Sequence, residues 1–229
     1  MASTGKKLIH WDSKTCPFAQ SRPIASYKLP SLTHPDTYAK LHPDPDAPAK
    51  VPILEDTDGT LLTESLVVTE YLNDKYPEPP LLDNTPASRA KGRMFVEFFN
   101  SSYAPAVFGL LRAGSAEEAS TKKDEFLKAI KTTGVALDRL AAKQGGNFFA
   151  GDRFTMSDIA TVTIVHRSVV ALKHYRGIDV WEHVERGGFA RMKAWMEAAL
   201  ARPSVQQTCP SNEETIKSMK KFITYEGHP

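Results

Sequence analysis

A cluster of prolines is the feature that most constrains how this chain folds. Within the ten residues from 77 to 86 the sequence has four prolines and an Asp-Asn turn pair. Proline lacks the N–H that a helix interior needs, so this stretch ends one helix and delays the next. Short apolar runs alternate with helical patterns before it, and every periodic segment after it has helical spacing. The sequence therefore predicts two domains, 1–78 and 89–229, joined by a linker at 79–88.

The part before this break has the pattern of an α/β domain. Lys7–Trp11 is predicted to form a short strand. The apolar runs Val51–Glu55 and Thr60–Leu62 flank the sequence Asp-Thr-Asp-Gly, and an Asp-Gly pair between apolar runs is typical of a β-hairpin. Ser65 then begins a helix that has an apolar side and continues to Pro77.

The part after the break is predicted to be an all-helical bundle. Its first long helix, Arg89–Leu111, contains Pro105, where we expect a kink. Thr-x-x-Asp patterns, which cap helix N-termini, begin at Thr121 and at Thr155. The second pattern precedes an almost wholly apolar helix, which should therefore be buried, with its Asp158 in a structural role. Two further helices are predicted, after Gly188 and from Ser211.

Charge and hydropathy argue against several classes of partner. The 229 residues carry a formal net charge of +2, and the lysines and arginines are interleaved with acids. No nucleic-acid partner is therefore predicted. The most apolar run, Ile159–Leu172, is interrupted by His166 and Arg167 and is too short to span a membrane. We interpret this polar pair as having partners inside the protein.

Cys16 is the candidate reactive residue. It leads the sequence Cys-Pro-Phe-Ala between a predicted strand and a predicted helix. Proline suits the first position of a helix, so the Cys16 sulfur is placed at the positive end of a helix dipole. That position favours the thiolate, which is the nucleophilic form. The alternative is that Cys16 is a small buried hydrophobe, and the tetrapeptide alone favours neither interpretation.

A local partner that could resolve a disulfide on Cys16 is absent from the sequence. Ala19 stands where a dithiol oxidoreductase has its second cysteine. A mixed disulfide on Cys16 therefore needs an outside thiol, for which glutathione is the abundant cytosolic candidate. Cys209, in a polar C-terminal loop, is interpreted as incidental. Two cysteines without a visible secretory signal predict a cytoplasmic protein without a disulfide scaffold, and no metal site is predicted.

Four motifs follow one another along the chain. They are Thr-Cys-Pro-Phe-Ala-Gln at 15–20, Val-Pro at 51–52, Glu-Ser at 64–65 and Gly-Asp-Arg-Phe-Thr-Met-Ser-Asp-Ile-Ala at 151–160. In this order they resemble the cysteine-type glutathione S-transferases, with the omega class nearest and the lambda class next. The resemblance implies the glutathione transferase fold: an α/β thioredoxin-like N-terminal domain with a mixed sheet, and an all-α C-terminal helical bundle.

The resemblance also implies roles for individual residues. The reactive cysteine would hold the glutathione sulfur, and Phe18 would shape the pocket. Val51, followed by Pro52 in a cis bond, would pair its backbone with the tripeptide. Glu64 and Ser65 would hold the γ-glutamyl end, because a helix start favours a carboxylate. From the sequence alone Ser65 could equally be a plain N-cap.

The chain departs from the family between Ser21 and Lys50. Five prolines lie between Ser21 and Asp46, where no alternating apolar run is visible. Proline cannot donate to a strand ladder, so we expect a sheet of three strands, or one with a vestigial fourth at its edge. The basic residue that binds the glycyl carboxylate in the family has two candidate counterparts, His34 and Lys50.

The resemblance implies a detoxifying transferase or oxidoreductase that uses glutathione as co-substrate. It would remove glutathione from proteins or small conjugates, or reduce dehydroascorbate, by thiol transfer through Cys16. Its partners would be glutathione, a small-molecule or glutathionylated substrate, and a second copy in a homodimer. The alternative is a non-catalytic scaffold or ligand-binding protein that keeps the fold.

Overall fold

The chain divides into two units, Met1–Leu81 and Leu82–Pro229. The division falls inside the predicted linker, and the domain limits predicted on either side of the linker remain a proposal. The structure is a computed structural model, and the residues that it describes are Ile9–Trp11, Cys16 and 50–229.

A three-stranded antiparallel sheet forms the described framework of the first unit. Its strands are β1 (Ile9–Trp11), β2 (Ile53–Glu55) and β3 (Leu61–Thr63), with β2 in the centre. Ile53 and Leu54 are both buried. Because successive residues of a strand point to opposite faces, both faces of the central strand are covered.

The predicted hairpin joins β2 to β3. The N–H of Gly59 donates to the Asp56 carbonyl at 2.9 Å, and the N–H of Asp56 donates to the Thr60 carbonyl at 2.8 Å. Gly59 has φ 90°, a conformation that costs glycine little and other residues more. Helix α1 (Ser65–Lys75) follows and packs Val68 and Leu72 against Leu54 of the sheet.

Part of the predicted sheet lies outside the described residues. Both described strand pairs are antiparallel, so the parallel pair that a mixed sheet requires is not among them. The stretch from Ser21 to 49, where we expect a missing or vestigial edge strand, also falls outside. The predicted strand number therefore stays a prediction.

The second unit is helical, as predicted. Apart from two short β-bridges in the loop before the fifth helix, its regular elements are helices. They are α2 (Pro86–Phe98), α3 (Ala104–Arg112), α4 (Ala116–Leu140), α5 (Met156–Arg167), α6 (Lys173–Arg176), α7 (Val180–Arg186), α8 (Ala190–Ala201), α9 (Pro203–Thr208) and α10 (Asn212–Met219).

Two sequence predictions about helix ends are corrected by the structure. A π-helical segment, Phe99–Tyr103, joins α2 to α3, so the irregularity predicted at Pro105 lies just before that proline. Helix α4 begins at Ala116, because Ser115 is its N-cap and accepts the N–H of Glu118 at 3.1 Å. Thr121 is therefore inside α4, and its Thr-x-x-Asp pattern is not a cap.

Aromatic side chains fill the core of the helical unit. Phe95 stacks on Phe149 with ring centroids 5.0 Å apart and meets Trp195 edge-on at 5.6 Å. Such pairs add to the stabilisation from burial alone. The buried hydroxyls of Tyr103 and Ser168 lie 2.8 Å apart and join the π-helical segment before α3 to a second one, Ser168–Leu172, after α5.

The carboxylate of Asp158 connects three parts of the helical unit. Its Oδ1 accepts the N–H of Phe149 and the indole N–H of Trp195, both at 2.8 Å. Its Oδ2 accepts the N–H of Thr155 at 2.8 Å and the Thr155 hydroxyl at 3.2 Å. The predicted capping box at the start of α5 is therefore confirmed. Burial raises the pKa of Asp158, while these donors oppose the rise.

A second buried charge, Arg176, holds the C-terminal segment against α3. Its guanidinium donates to the carbonyls of Leu110 at 2.9 Å and Leu111 at 2.7 Å, at the end of α3. It also donates to the carbonyl of Tyr225 at 2.9 Å. A helix C-terminus has carbonyls without partners in the helix, so a buried cation fits there.

The polar pair that interrupts α5 has internal partners, as predicted. Nε2 of His166 lies 3.1 Å from the hydroxyl of Thr215 in α10. Arg167, which is fully buried, donates to the Thr163 carbonyl at 2.8 Å. Among the described residues, none of the helices is long and apolar enough to cross a membrane.

Replacing Asp158 by Ala should destabilise the helical unit strongly. The change removes a cap worth about 0.5–2 kcal/mol, and it leaves the buried N–H groups of Phe149 and Trp195 unpaired at about 1–3 kcal/mol each. Thermal unfolding followed by circular dichroism measures the loss. The control is Asp138→Ala, since Asp138 is exposed on α4. Equal melting temperatures for the two variants would contradict this role.

Candidate active site

Two candidate site residues that are 35 positions apart in sequence lie close together. The sulfur of Cys16 is 4.0 Å from the carbonyl oxygen of Val51, within reach of a weak S–H donor. Both residues are half-buried, so the thiol is accessible in part. The thiol therefore lies beside the backbone just before β2. Its immediate neighbours in sequence, including Phe18, lie outside the described residues.

The backbone before β2 has the predicted form. The Val51-Pro52 bond is cis, as the family resemblance implies, and Pro52 is buried. Lys50, directly before this pair, is exposed. His34, the other candidate for a glycyl carboxylate, is outside the described residues, so the choice between these two basic residues stays open.

The start of α1 has an uncommon backbone. Glu64 has φ 65° and ψ 119°, and it is the only described residue other than glycine with a positive φ. Such a conformation costs of the order of 1–3 kcal/mol in a residue with a side chain, and it is often found at functional sites. Glu64 is the N-cap of α1, and its side chain makes no capping hydrogen bond.

Ser65 is the first residue of α1, so the alternative that it is a plain N-cap is wrong. Its own carbonyl accepts the Thr69 hydroxyl at 2.8 Å. Ser65 is half-buried and lies in the first turn of the helix, whose first N–H groups have no acceptor within the helix. With the positive end of the dipole, these donors can bind a carboxylate.

A buried carboxylate behind this helix was not assigned any role from the sequence. Asp56, at the start of the hairpin turn, accepts the Thr57 N–H at 2.6 Å, and it also binds the Tyr71 hydroxyl and the Lys75 ammonium. Tyr71 and Lys75 are one helical turn apart on α1. That spacing was the one sequence signal for a common partner. Asp56 therefore ties the hairpin to the helix that begins at Ser65.

The electrostatics of Asp56 follow from these donors. Burial acts to raise its pKa, but hydrogen bonds from Lys75, Tyr71 and Thr57 outweigh it and lower the pKa from 3.8 to about 2. The Lys75 ammonium also has a raised pKa, chiefly because of its bond to Asp56. Within the described residues, no three His, Cys, Asp or Glu side chains are grouped so that they could hold a metal ion.

Comparisons with known families identify the chain. The family model for the glutathione S-transferase C-terminal domain matches residues 94–208, and the model for the N-terminal domain of the same family matches residues 18–80. The chain belongs to the glutathione S-transferase family. Its predicted fold class, a thioredoxin-like domain followed by a helical domain, is confirmed.

This family member is similar to curated relatives of several kinds. It is 30% identical to glutathione S-transferase omega-1 of Rattus norvegicus over 65% of this chain and 61% of that protein. It is 30% identical to maleylacetoacetate isomerase of Dictyostelium discoideum over 58% of this chain and 60% of that protein. The matches therefore span about three fifths of these relatives. Glutathione S-transferase L1 of Arabidopsis thaliana is 25% identical over 92% of this chain and 85% of that protein.

Solved structures of the family share the fold. Leishmania TDR1, a trimeric glutathione transferase, superposes with a TM-score of 0.79 at 26% identity, over 95% of this chain and 49% of that one. Glutathione transferase Omega 1C from Trametes versicolor superposes with a TM-score of 0.75 at 24% identity, over 97% of this chain and 98% of that one.

Replacing Asp56 by Asn should lower stability in a way that depends on pH. A carboxyl whose pKa is lower in the folded state contributes stability above its unfolded pKa, and the contribution is lost as pH falls through the folded pKa. At neutral pH the free energy of unfolding of the wild type should therefore be about 1–2 kcal/mol larger than that of Asp56→Asn. This difference should disappear as pH falls from about 4 toward 2. Urea titrations at several pH values measure the gap.

The matched control for this experiment is Asp74→Asn. Asp74 is exposed on α1, next to Lys75, so its loss changes the charge of the same helix without opening a buried network. Its urea midpoint should follow that of the wild type. A gap between wild type and Asp56→Asn that stays constant down to the lowest pH would show that Asp56 acts through shape and not through charge.

Proposed function

We propose that the chain is a glutathione-dependent thiol transferase that acts through a mixed disulfide between Cys16 and glutathione. The observation that carries the proposal is the position of the Cys16 sulfur, 4.0 Å from the Val51 carbonyl and directly before the central strand. Membership in the glutathione S-transferase family supports the co-substrate. Similarity to omega-1 proteins supports the subclass.

The first step is an exchange of thiols. The Cys16 thiolate attacks the glutathione sulfur of a glutathionylated thiol, a new S–S bond forms, and the substrate leaves as its thiolate. A second glutathione thiolate then attacks the mixed disulfide, which releases Cys16 and yields oxidised glutathione. When dehydroascorbate is the substrate, two glutathione molecules supply two electrons and two protons. The products are ascorbate and one molecule of oxidised glutathione.

The chain itself explains why the second thiol comes from outside. Ala19 occupies the position of a resolving cysteine, and the other cysteine, Cys209, is in the helical unit. A Cys16 disulfide with glutathione can therefore be released only by an external thiol. In our proposal a second glutathione performs that role.

Residues before β2 and at the start of α1 would hold the tripeptide. Backbone groups of Val51, presented by the Val51-Pro52 turn, would pair with it as an added strand does. The N–H groups and hydroxyl at Ser65 would bind the γ-glutamyl carboxylate, and the exposed Glu64 carboxylate would bind the neighbouring ammonium. Lys50 or His34 would bind the glycyl carboxylate, and Phe18 would shape the pocket.

The alternative of a non-catalytic scaffold depends on the altered segment between Ser21 and Asp46. That segment lies outside the described residues, so no structural observation favours the alternative. A cytoplasmic location and a homodimer belong to the same proposal. The location follows from the two free cysteines, and the dimer from the family resemblance.

Oxidised glutathione should add a single glutathionyl group to the protein, on Cys16. Intact-mass measurement after treatment should show this one adduct in wild type and in Cys209→Ser, and none in Cys16→Ser. Thiol-transfer activity should disappear in Cys16→Ser, because a hydroxyl cannot form the disulfide. The serine hydroxyl can still hydrogen-bond a glutathione thiolate, so conjugation to a chlorinated aromatic should rise. An adduct or unchanged thiol transfer in Cys16→Ser would refute the assignment.

Removing the Ser65 hydroxyl should weaken glutathione binding more than removing the His34 side chain. A hydrogen bond to a charged group is worth about 1.5–3 kcal/mol, so Ser65→Ala should raise the dissociation constant about tenfold or more. Isothermal titration of both variants provides the comparison, and Val67→Ala, at an exposed position of α1, is the control for changes within that helix. A larger effect of His34→Ala would place the main anchor at the glycyl end.

A further inference from the structure

A cavity of about 470 Å³ lies in the helical unit, and none of its described lining residues belongs to the proposed active site. It lies where the end of α5, the second π-helical segment, the end of α8, α9 and the start of α10 meet. Four aliphatic side chains, Val169, Val170, Leu200 and Val205, line it. Its volume is in the range of pockets that bind small organic molecules.

The polar groups in this cavity are uncharged at neutral pH. Burial, with the nearby Arg167, lowers the pKa of His166 to about 4, so its ring is neutral. Burial raises the pKa of the Cys209 thiol, which stays protonated. The remaining polar lining is formed by amide and hydroxyl side chains, and none of the described lining residues is Lys, Arg, Asp or Glu.

The His166 ring is fixed in the wall of the cavity. One ring nitrogen lies 3.1 Å from the Thr215 hydroxyl, and the backbone of Pro210 hydrogen-bonds the ring as well. The ring therefore keeps its orientation and does not offer a free charge to a ligand. Gln206 and Asn212, exposed at the opening, can supply neutral hydrogen bonds.

We propose that this cavity is a binding site for a small, uncharged, largely apolar organic molecule. Val169, Val170 and Leu200 are half-exposed, and covering their side chains with an apolar ligand is favourable. A charged ligand would lose its hydration without finding an opposite charge in the lining, so a neutral ligand is preferred. The proposal does not depend on the chemistry of Cys16.

The thiol of Cys209 allows a direct test. The chain has two cysteines, so in Cys16→Ala the rate of alkylation by N-ethylmaleimide reports on Cys209 alone. The neutral dye N-phenyl-1-naphthylamine is the probe, and the anionic dye 8-anilinonaphthalene-1-sulfonate, of similar size, is its matched control. At about ten times its dissociation constant the neutral dye should slow alkylation about tenfold, because only the empty fraction reacts.

A second variant tests the cavity by filling it. Val170→Trp should abolish the protection of Cys209 in the Cys16→Ala protein, while Leu140→Trp, at a half-buried helical position outside the cavity, should retain it. Circular dichroism tests whether each variant is folded. If Val170→Trp does not fold, the alkylation rates of Cys16→Ala with the two dyes decide the proposal. An unchanged rate with the neutral dye would overturn the proposal, and so would equal protection by the anionic dye.

Discussion

The buried carboxylate of Asp158 is the interaction on which the helical unit depends. Helix α5 is buried at every residue except His166, so apolar burial alone does not determine how it is rotated about its axis. Directional hydrogen bonds determine that rotation. The Asp158 oxygens bind the start of α5, the loop at Phe149 and the indole of Trp195 on α8. One side chain thereby orients the central helix relative to its neighbours.

The same solution recurs at two other buried charges, Asp56 and Arg176. Asp56 is surrounded by donors from the hairpin turn and from α1, and Arg176 by backbone carbonyls at the end of α3 and in the C-terminal segment. Removing a charge from water is costly unless its hydrogen bonds are replaced. Each of these charged side chains hydrogen-bonds a segment that is distant in the sequence. These hydrogen bonds offset the cost of desolvating the charge, and they also fix the position of that segment.

Local signals explain what the sequence could predict. The Thr155–Asp158 box and the Asp-Gly hairpin were confirmed because all their partners lie within a few residues. The predicted cap at Thr121 was wrong because an equivalent pattern, Ser115 with Glu118, lies six residues earlier. The residues between the two patterns favour helix, and Ala119 is buried, so the helix extends to the earlier cap.

The contacts that the sequence could not predict join residues that are far apart along the chain. Trp195 is 37 residues from the carboxylate that it binds, and Lys75 is 19 residues from Asp56. No local period encodes such pairs. The proximity of Cys16 and Val51 was expected only from the family resemblance, and so was the cis bond. The helix position of Ser65 came from local pattern, whereas the positive φ of Glu64 had no sequence signal, since glutamate rarely adopts it.

The two cysteines show how position determines the chemistry of a side chain. Cys209 lies in an uncharged cavity, where burial keeps its thiol protonated and therefore weakly nucleophilic. Cys16 lies half-buried beside the backbone that precedes the central strand. The nucleophile that our proposal requires there is the thiolate of Cys16. Cys16 belongs to the first unit, whereas Cys209 and the cavity belong to the helical unit, so each proposal can be tested with the other cysteine replaced.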